Sequence, residues 1–294
     1  MSSPTYLLIF YCLAIAGFSL IGGFLPTWVR MTHTRTQLVM SLVSGLMLGV
    51  AFYHLLPHSI ALMGGPRGVD TTVWWLMLGL IVMLLLLRVF HFHQHDFSGE
   101  EALQLDVTQH DHHPHHDRDH HHGHTPGGPV HGLSWVGLAL GLGVHTLIDG
   151  VALGAVMQAG TGEAVGLIGI GVFLAILLHK PLDSMSIVTL MAVGGWSREA
   201  RIRANVVFAL LCPLGALLFF FGVDAATDSR NHLVGAALAF SAGAFICIAL
   251  SDLLPEVHFH SHDRTKLTLA FLLGLLVAYG IGDIEPVGLH LSSL

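Results

Sequence analysis

Two pairs of ionisable residues, each a histidine followed four positions later by an aspartate, stand inside apolar stretches of the chain. They are His145 with Asp149 and His179 with Asp183. Residues i and i+4 lie above one another on one face of a helix, so each pair presents an imidazole and a carboxylate together. Two such pairs facing each other would supply two nitrogen and two oxygen ligands. That set suits a borderline divalent metal ion, with zinc first.

The composition around these pairs is that of a membrane protein. The 294 residues are 53% hydrophobic and 11% charged, with a mean hydropathy of +0.70. Apolar stretches of about 20 residues are long enough to cross a bilayer, and they predict an all-α integral membrane protein with eight transmembrane helices. The predicted helices cover 5–28, 37–62, 72–90, 133–158, 163–192, 203–222, 231–256 and 266–283. The first is interpreted as a membrane helix rather than a signal peptide, because no basic start or small-residue cleavage site accompanies it.

A polar, low-complexity segment at 91–131 divides the chain. Residues 1–90 hold three predicted helices, and residues 132–294 hold the other five together with both His/Asp pairs. The segment contains 13 of the 23 histidines. Its low apolar content predicts disorder in the absence of metal, and its many imidazoles favour weak, multi-site metal capture. A plain flexible tether is the alternative.

The placement of lysine and arginine predicts the orientation of the helices. Odd-numbered connections carry most of these residues, whereas even-numbered connections carry only Arg67 and Arg230. Because basic loops stay in the cytoplasm, both termini are predicted outside and segment 91–131 inside. We expect a multi-pass protein of the cell membrane, plasma or inner. The sequence has no basic face of the kind that binds nucleic acid, so no nucleic-acid partner is expected. A homodimer is possible.

Four motifs resemble the ZIP family of divalent metal transporters. Residues 145–150 (His-Thr-Leu-Ile-Asp-Gly) and 179–183 (His-Lys-Pro-Leu-Asp) are similar to the family's His-Asn-x-x-Asp/Glu-Gly and His-Glu-x-Pro-His/Gln-Glu. Residues 54–58 (His-Leu-Leu-Pro-His) and 241–256, which end in Asp-Leu-Leu-Pro-Glu, match in the right order. The resemblance implies a ZIP-like bundle with its termini outside. It also implies alternating-access transport of metal toward the cytoplasm, with the site on the fourth and fifth helices.

The chain departs from the family where a second metal is often bound. Thr146 and Lys180 occupy the positions of the usual Asn and Glu, and the proline stands one position early. Threonine is a poor ligand and a charged ammonium is none, so we expect a single metal site. A buried lysine needs a counter-charge. We expect Lys180 to pair with Asp252 of the seventh helix in place of a second ion, the alternative being that Lys180 reaches a membrane interface.

Further ionisable residues near helix ends are candidates for the ion pathway. They are His54, His58, Glu256 and His258. Solvated helix-end side chains are the alternative for all four.

Other functions are weighed against transport. A membrane-embedded zinc hydrolase would also use His and Asp on helices, and a metal sensor or store would rely on 91–131. A transporter that prefers iron or manganese is a further alternative, since ligand types overlap among these metals. Neither a Walker A motif nor an HExxH motif occurs in the sequence, so ATP-driven transport and zincin-type proteolysis lack their motifs. The expected partners are divalent metal ions and the lipid bilayer.

Overall fold

A computed structural model describes residues 3–28, 33–90, 134–160, 168–225, 229–259 and 264–282. Within these ranges all regular secondary structure is helical, and no strand occurs. The α-helices are α1 (Ser3–Trp28), α2 (His33–Val50), α3 (Leu56–Leu62), α4 (Val69–Phe90), α5 (Ser134–Ala159), α6 (Ile170–Val193), α7 (Arg198–Gly222), α8 (Arg230–Phe259) and α9 (Arg264–Gly282). Eight segments of the described chain are long and apolar enough to cross a membrane, with α2 and α3 in one of them. The all-α, eight-span prediction is confirmed. The histidine-rich segment 91–131 lies outside the described residues.

The sixth span begins earlier than residue 203, the predicted start. The side chain of Ser197 accepts a hydrogen bond from the backbone N–H of Ala200 at 3.3 Å, and Glu199 lies in the first turn of α7. An N-cap and an acidic residue both stabilise the first turn of a helix. The basic residues Arg198, Arg201 and Arg203 therefore belong to the start of α7. Hydropathy missed this turn because it detects only the apolar part of a helix.

The second span contains a turn that hydropathy does not predict. Residues Ala51–Leu55 form a π-helical turn, closed by the backbone N–H of Leu56 donating to the carbonyl of Ala51. Pro57 stands two residues after the end of this turn, and a proline inside a helix lacks a donor and crowds the carbonyl four residues before it. A wider turn relieves that crowding, and such turns are frequent at functional sites. His54 lies in this turn and is buried.

Glycines bring several helix pairs into backbone contact. A Cβ atom on one of these glycines would collide with a carbonyl oxygen of the neighbouring helix. The contacts join α2 to α9 (Gly45 to Phe271, Gly274 to Leu42), α4 to α8 (Gly79 to Phe240) and α5 to α7 (Gly150 to Cys212). Small residues permit this approach in membrane bundles, where close packing and not hydrophobic burial holds helices together. Among the eight spans, α5 and α8 are the most enclosed, while α4 and α9 remain largely exposed.

Two glycines of α9 test the importance of this packing. In Gly274→Ala the new methyl group meets the backbone of Leu42 and Leu46, whereas in Gly280→Ala it meets nothing within 4 Å. We expect Gly274→Ala to lower the free energy of unfolding by about 1–3 kcal/mol, the usual cost of overpacking. Gly280→Ala should cost nothing. Thermal unfolding in detergent measures both, and equal midpoints for the two variants would contradict the packing described above.

Candidate metal centre

The four residues predicted from the two His/Asp pairs come together between α5 and α6. The Nε2 atom of His145 lies 3.4 Å from Oδ2 of Asp149 and 3.6 Å from Oδ2 of Asp183. The Nε2 atom of His179 lies 3.1 Å and 3.9 Å from the same two oxygens. Zinc bonds of about 2.0 Å in a tetrahedron separate neighbouring ligands by roughly 3.3 Å. The four distances fall on both sides of that value, and all four ligand atoms lie within 4.8 Å of one another, so the cluster is compact enough to surround one zinc ion.

Helix contacts behind the cluster hold α5 and α6 in position. Gly150, next to Asp149, allows the backbone of α5 to touch that of α7. On the other side, Gly22 of α1 touches the backbone of Pro181, and the hydroxyls of Ser19 and Ser184 share a hydrogen bond of 2.7 Å. Contacts with α7 and with α1 thus fix the positions of the two helices that carry the site.

The hydrogen bond made by Nδ1 of His179 determines the tautomer of this residue. Its Nδ1–H donates to the backbone carbonyl of Ala175 at 2.7 Å, and a carbonyl can only accept. A neutral His179 therefore presents Nε2 as an acceptor. That nitrogen faces Oδ2 of Asp149, another acceptor, at 3.1 Å. Two acceptors at this distance repel each other unless a proton or a metal cation lies between them.

Two further buried atoms of the cluster lack hydrogen-bond partners. They are Nδ1 of His145 and Oδ1 of Asp149. Asp149 is fully buried and His145 is 3% exposed. Buried polar atoms are nearly always hydrogen-bonded, so unsatisfied ones call for an explanation such as an ion or a water molecule. Oδ1 of Asp149 is therefore an acceptor that the protein itself does not satisfy, whereas Nδ1 of His145 carries the ring proton whenever Nε2 accepts.

Lys180 is the cation that the protein itself places in the cluster. Its Nζ atom lies 2.5 Å from Oδ2 of Asp149, 3.1 Å from Oδ2 of Asp183 and 3.1 Å from Oγ1 of Thr146. The residue is 1% exposed, so its ammonium is directed inward. The side chain of Asp252 lies outside the described part of the chain, and the expected pair between Lys180 and Asp252 stays a prediction.

The candidate pathway residues of the second span lie apart from this cluster. The Nε2–H of His54 donates to the carbonyl of Ala278 on α9 at 2.8 Å, and its ring rests against Gly171 of α6. Gly171 precedes His179 by two turns, or about 12 Å along the helix. The Nδ1–H of His58 donates to the carbonyl of His54 at 2.5 Å. The side chains of Glu256 and His258 are outside the described set, so a role for these four residues in the pathway stays a prediction.

Three residues near the site were not predicted from the sequence. Ala175 fixes the ring of His179, Ser19 braces α6, and Phe208 places its ring centroid 5.7 Å from the ammonium of Lys180. Only Ala175 had a signal in the sequence, because it stands four residues before a histidine on a helix. The other two depend on how α1 and α7 are rotated against α6.

Comparison with known proteins gives one family and consistent relatives. Residues 5–282 match the family model described as ZIP Zinc transporter. The chain is 27% identical to zinc transporter ZIP9-B of Xenopus laevis, over 93% of this chain and 90% of that protein. It is 33% identical to zinc transporter ZIP9 of Micropogonias undulatus, over 74% of this chain and 60% of that protein. It is also 38% identical to zinc transporter ZIP9 of Macaca fascicularis, over 48% of this chain and 66% of that protein.

The cluster predicts the metal content of the purified protein. We expect His145→Ala to bind about one zinc ion per chain fewer than the unaltered protein, because one of four ligands is lost. Comparing the two proteins cancels any ions held by segment 91–131. His232→Ala is the matched control, since His232 is exposed at the start of α8. Plasma emission spectroscopy after gel filtration measures the difference, and equal zinc content in His145→Ala and His232→Ala would contradict the site.

Proposed function

The chain belongs to the ZIP zinc transporter family, and we propose that it carries zinc toward the cytoplasm through one site formed by His145, Asp149, His179 and Asp183. The protein is a multi-pass membrane protein and a metal transporter rather than an enzyme. The cargo, its direction of movement, the position of the site and the alternation of access are the parts that we propose.

One observation carries the proposal: acceptor atoms from two neighbouring spans converge inside an apolar bundle. Their four ligand atoms lie within 4.8 Å of one another. Ionisable groups at this depth are costly and belong to ion pathways, proton relays or counter-ion pairs. A single lysine ammonium leaves part of the cluster unsatisfied, and a transported cation supplies what is missing. Thr146 and Lys180 replace the usual ligands of a second ion, so the proposed site holds one.

The donor set supports zinc as the cargo. Two imidazole nitrogens and two carboxylate oxygens in one compact cluster suit zinc, whereas manganese and magnesium favour six oxygen ligands. The relatives compared above also carry the name zinc transporter. Four protein ligands leave no open position for a reacting water molecule, which catalytic zinc sites keep. This geometry therefore favours transport over hydrolysis.

Buried side chains enclose the proposed site on both sides along α6. Asp183, the last of the four ligands along this helix, has a side chain that is 16% exposed. Before His179, the side chains of Val172, Ala175 and Ile176 are fully buried, and Phe173 stacks on Tyr11 of α1 at 4.1 Å. By the charge rule, the start of α6 faces outside. Beyond Asp183, Ile187 and Met191 are buried as well, in one cluster with Leu142 and Phe208. We propose that this cluster opens toward the cytoplasm, since Asp183 on that side is the most exposed of the four ligands.

The remaining assignments complete the proposed path. Segment 91–131 would capture zinc on the cytoplasmic side, with Glu256 and His258 near the same side, and His54 and His58 would line the way through the second span. The plasma or inner membrane is the proposed location, and a homodimer the proposed assembly.

Zinc uptake tests the function directly. Proteoliposomes containing a zinc-sensitive dye should fill with zinc without ATP. His179→Ala should lower the initial rate at least about tenfold, as expected when a metal ligand is lost. His232→Ala, an exposed histidine, should transport at the normal rate. Uptake that is equally fast in liposomes without protein, or in His179→Ala, would contradict the proposal.

Cysteine labelling tests the direction of access. Ser186→Cys lies after Asp183 on α6, and Ala175→Cys lies before His179. The native residues Cys12, Cys212 and Cys247 are buried, which keeps the background low. A membrane-impermeant maleimide applied to inside-out vesicles should modify Ser186→Cys and spare Ala175→Cys. Modification of Ala175→Cys alone would reverse the proposed orientation of the open side.

A further inference from the structure

Lys180 contacts the same carboxylate oxygens that would bind the transported metal. Its ammonium lies 2.5 Å from Oδ2 of Asp149 and 3.1 Å from Oδ2 of Asp183. Those two oxygens are also the atoms that face the imidazoles of His145 and His179. The ammonium of Lys180 and the transported cation would thus both contact the same pair of oxygen atoms. With neutral imidazoles, the two carboxylates and the ammonium leave a single net negative charge.

The surroundings keep the ammonium at this position. Thr146 accepts its third hydrogen bond at 3.1 Å, and the ring centroid of Phe208 lies 5.7 Å from the ammonium. Lys180 is 1% exposed and Phe208 is 4% exposed, so both side chains are enclosed by protein. A buried charged group stays beside its counter-charges, because leaving them buried and unpaired is costly.

We propose that Lys180 is a built-in competitor of the transported metal, weakening the hold of Asp149 and Asp183 on the ion so that it can leave. This inference rests on the proposed function for its meaning in transport. Before an ion arrives, the ammonium draws two carboxylates together that would otherwise repel each other. Once an ion arrives, the ammonium repels it and occupies part of its ligands. Transport needs a site that binds and also releases.

The same competitor biases the choice of metal. An ammonium that takes up carboxylate charge leaves the two imidazoles as the main attraction for the ion. Imidazole favours zinc and related metals, whereas manganese depends on oxygen ligands. Neutralising Lys180 should therefore strengthen binding of every divalent ion, and that of manganese more than that of zinc.

Metal affinity of the solubilised full-length protein tests the competitor. Lys180→Gln removes the charge but keeps an amide that can donate to the carboxylates and to Thr146. By competition against a calibrated chelator, Lys180→Gln should bind zinc at least about tenfold more tightly than the unaltered protein, because close charge pairs couple at least that strongly. Manganese should gain by a larger factor. In proteoliposomes the same variant should show a lower KM for zinc and a lower maximal rate.

Two control variants keep this test specific. Lys180→Arg retains the charge and should bind zinc with nearly the original affinity. Lys266→Gln makes the same substitution at the only other lysine of the sequence, at the start of α9, and should change nothing. Unchanged or weaker zinc binding by Lys180→Gln would overturn the proposal, as would a gain of affinity in Lys180→Arg equal to that in Lys180→Gln.

The remaining outcomes are also decisive. If Lys180→Gln folds only when zinc is present during purification, the ammonium substitutes for the metal in the empty site, as proposed. If it fails to fold even with zinc, Lys180 is needed beside the bound ion and is not its competitor. Absence of uptake by the unaltered protein, together with tighter binding by Lys180→Gln, would remove the transport function and retain the competitor. Normal uptake by the unaltered protein, together with unchanged zinc affinity in Lys180→Gln, would retain the transport function and remove the competitor.

Discussion

Lone-pair atoms held close together in an apolar bundle repel one another, and that repulsion is the constraint on which this protein depends. Nε2 of His179 faces Oδ2 of Asp149 at 3.1 Å, with its proton committed to the carbonyl of Ala175 on the other side of the ring. Water would screen such a contact, but Asp149 is fully buried. Positive charge must enter the cluster, and Lys180 supplies only part of it.

The fold maintains this unfavourable arrangement through contacts that leave the helices little freedom. Gly150 brings α5 against the backbone of α7, and Gly22 brings α1 against Pro181 on α6. Close backbone packing of this kind replaces the hydrophobic drive that a bilayer cannot provide between helices. The energy spent on gathering carboxylates and imidazoles is thus offset by packing elsewhere in the bundle. An arriving cation finds its ligands already assembled.

Much of this arrangement is predictable from the sequence, and the reasons are physical. The length of the apolar stretches alone predicts eight spans. The four-residue spacing of His145 and Asp149 predicts that their side chains lie on one face of a single helix. What escapes prediction depends on how helices are rotated and capped. The start of α7 at Arg198 follows from the cap by Ser197, and the π-helical turn at Ala51–Leu55 follows from local crowding. The contact of Lys180 with Asp183 follows from their i,i+3 spacing on α6, whereas its contact with Asp149 on α5 depends on helix rotation, which spacing along the chain does not encode.

The central claim is that the two His/Asp pairs share one ion between α5 and α6. Crystals grown with zinc, measured on both sides of the zinc absorption edge, test it most directly. The account predicts an anomalous peak within bonding distance, about 2 Å, of Nε2 of both His145 and His179. Zinc peaks elsewhere in the molecule, with ordered side chains and no peak between these two rings, would contradict it.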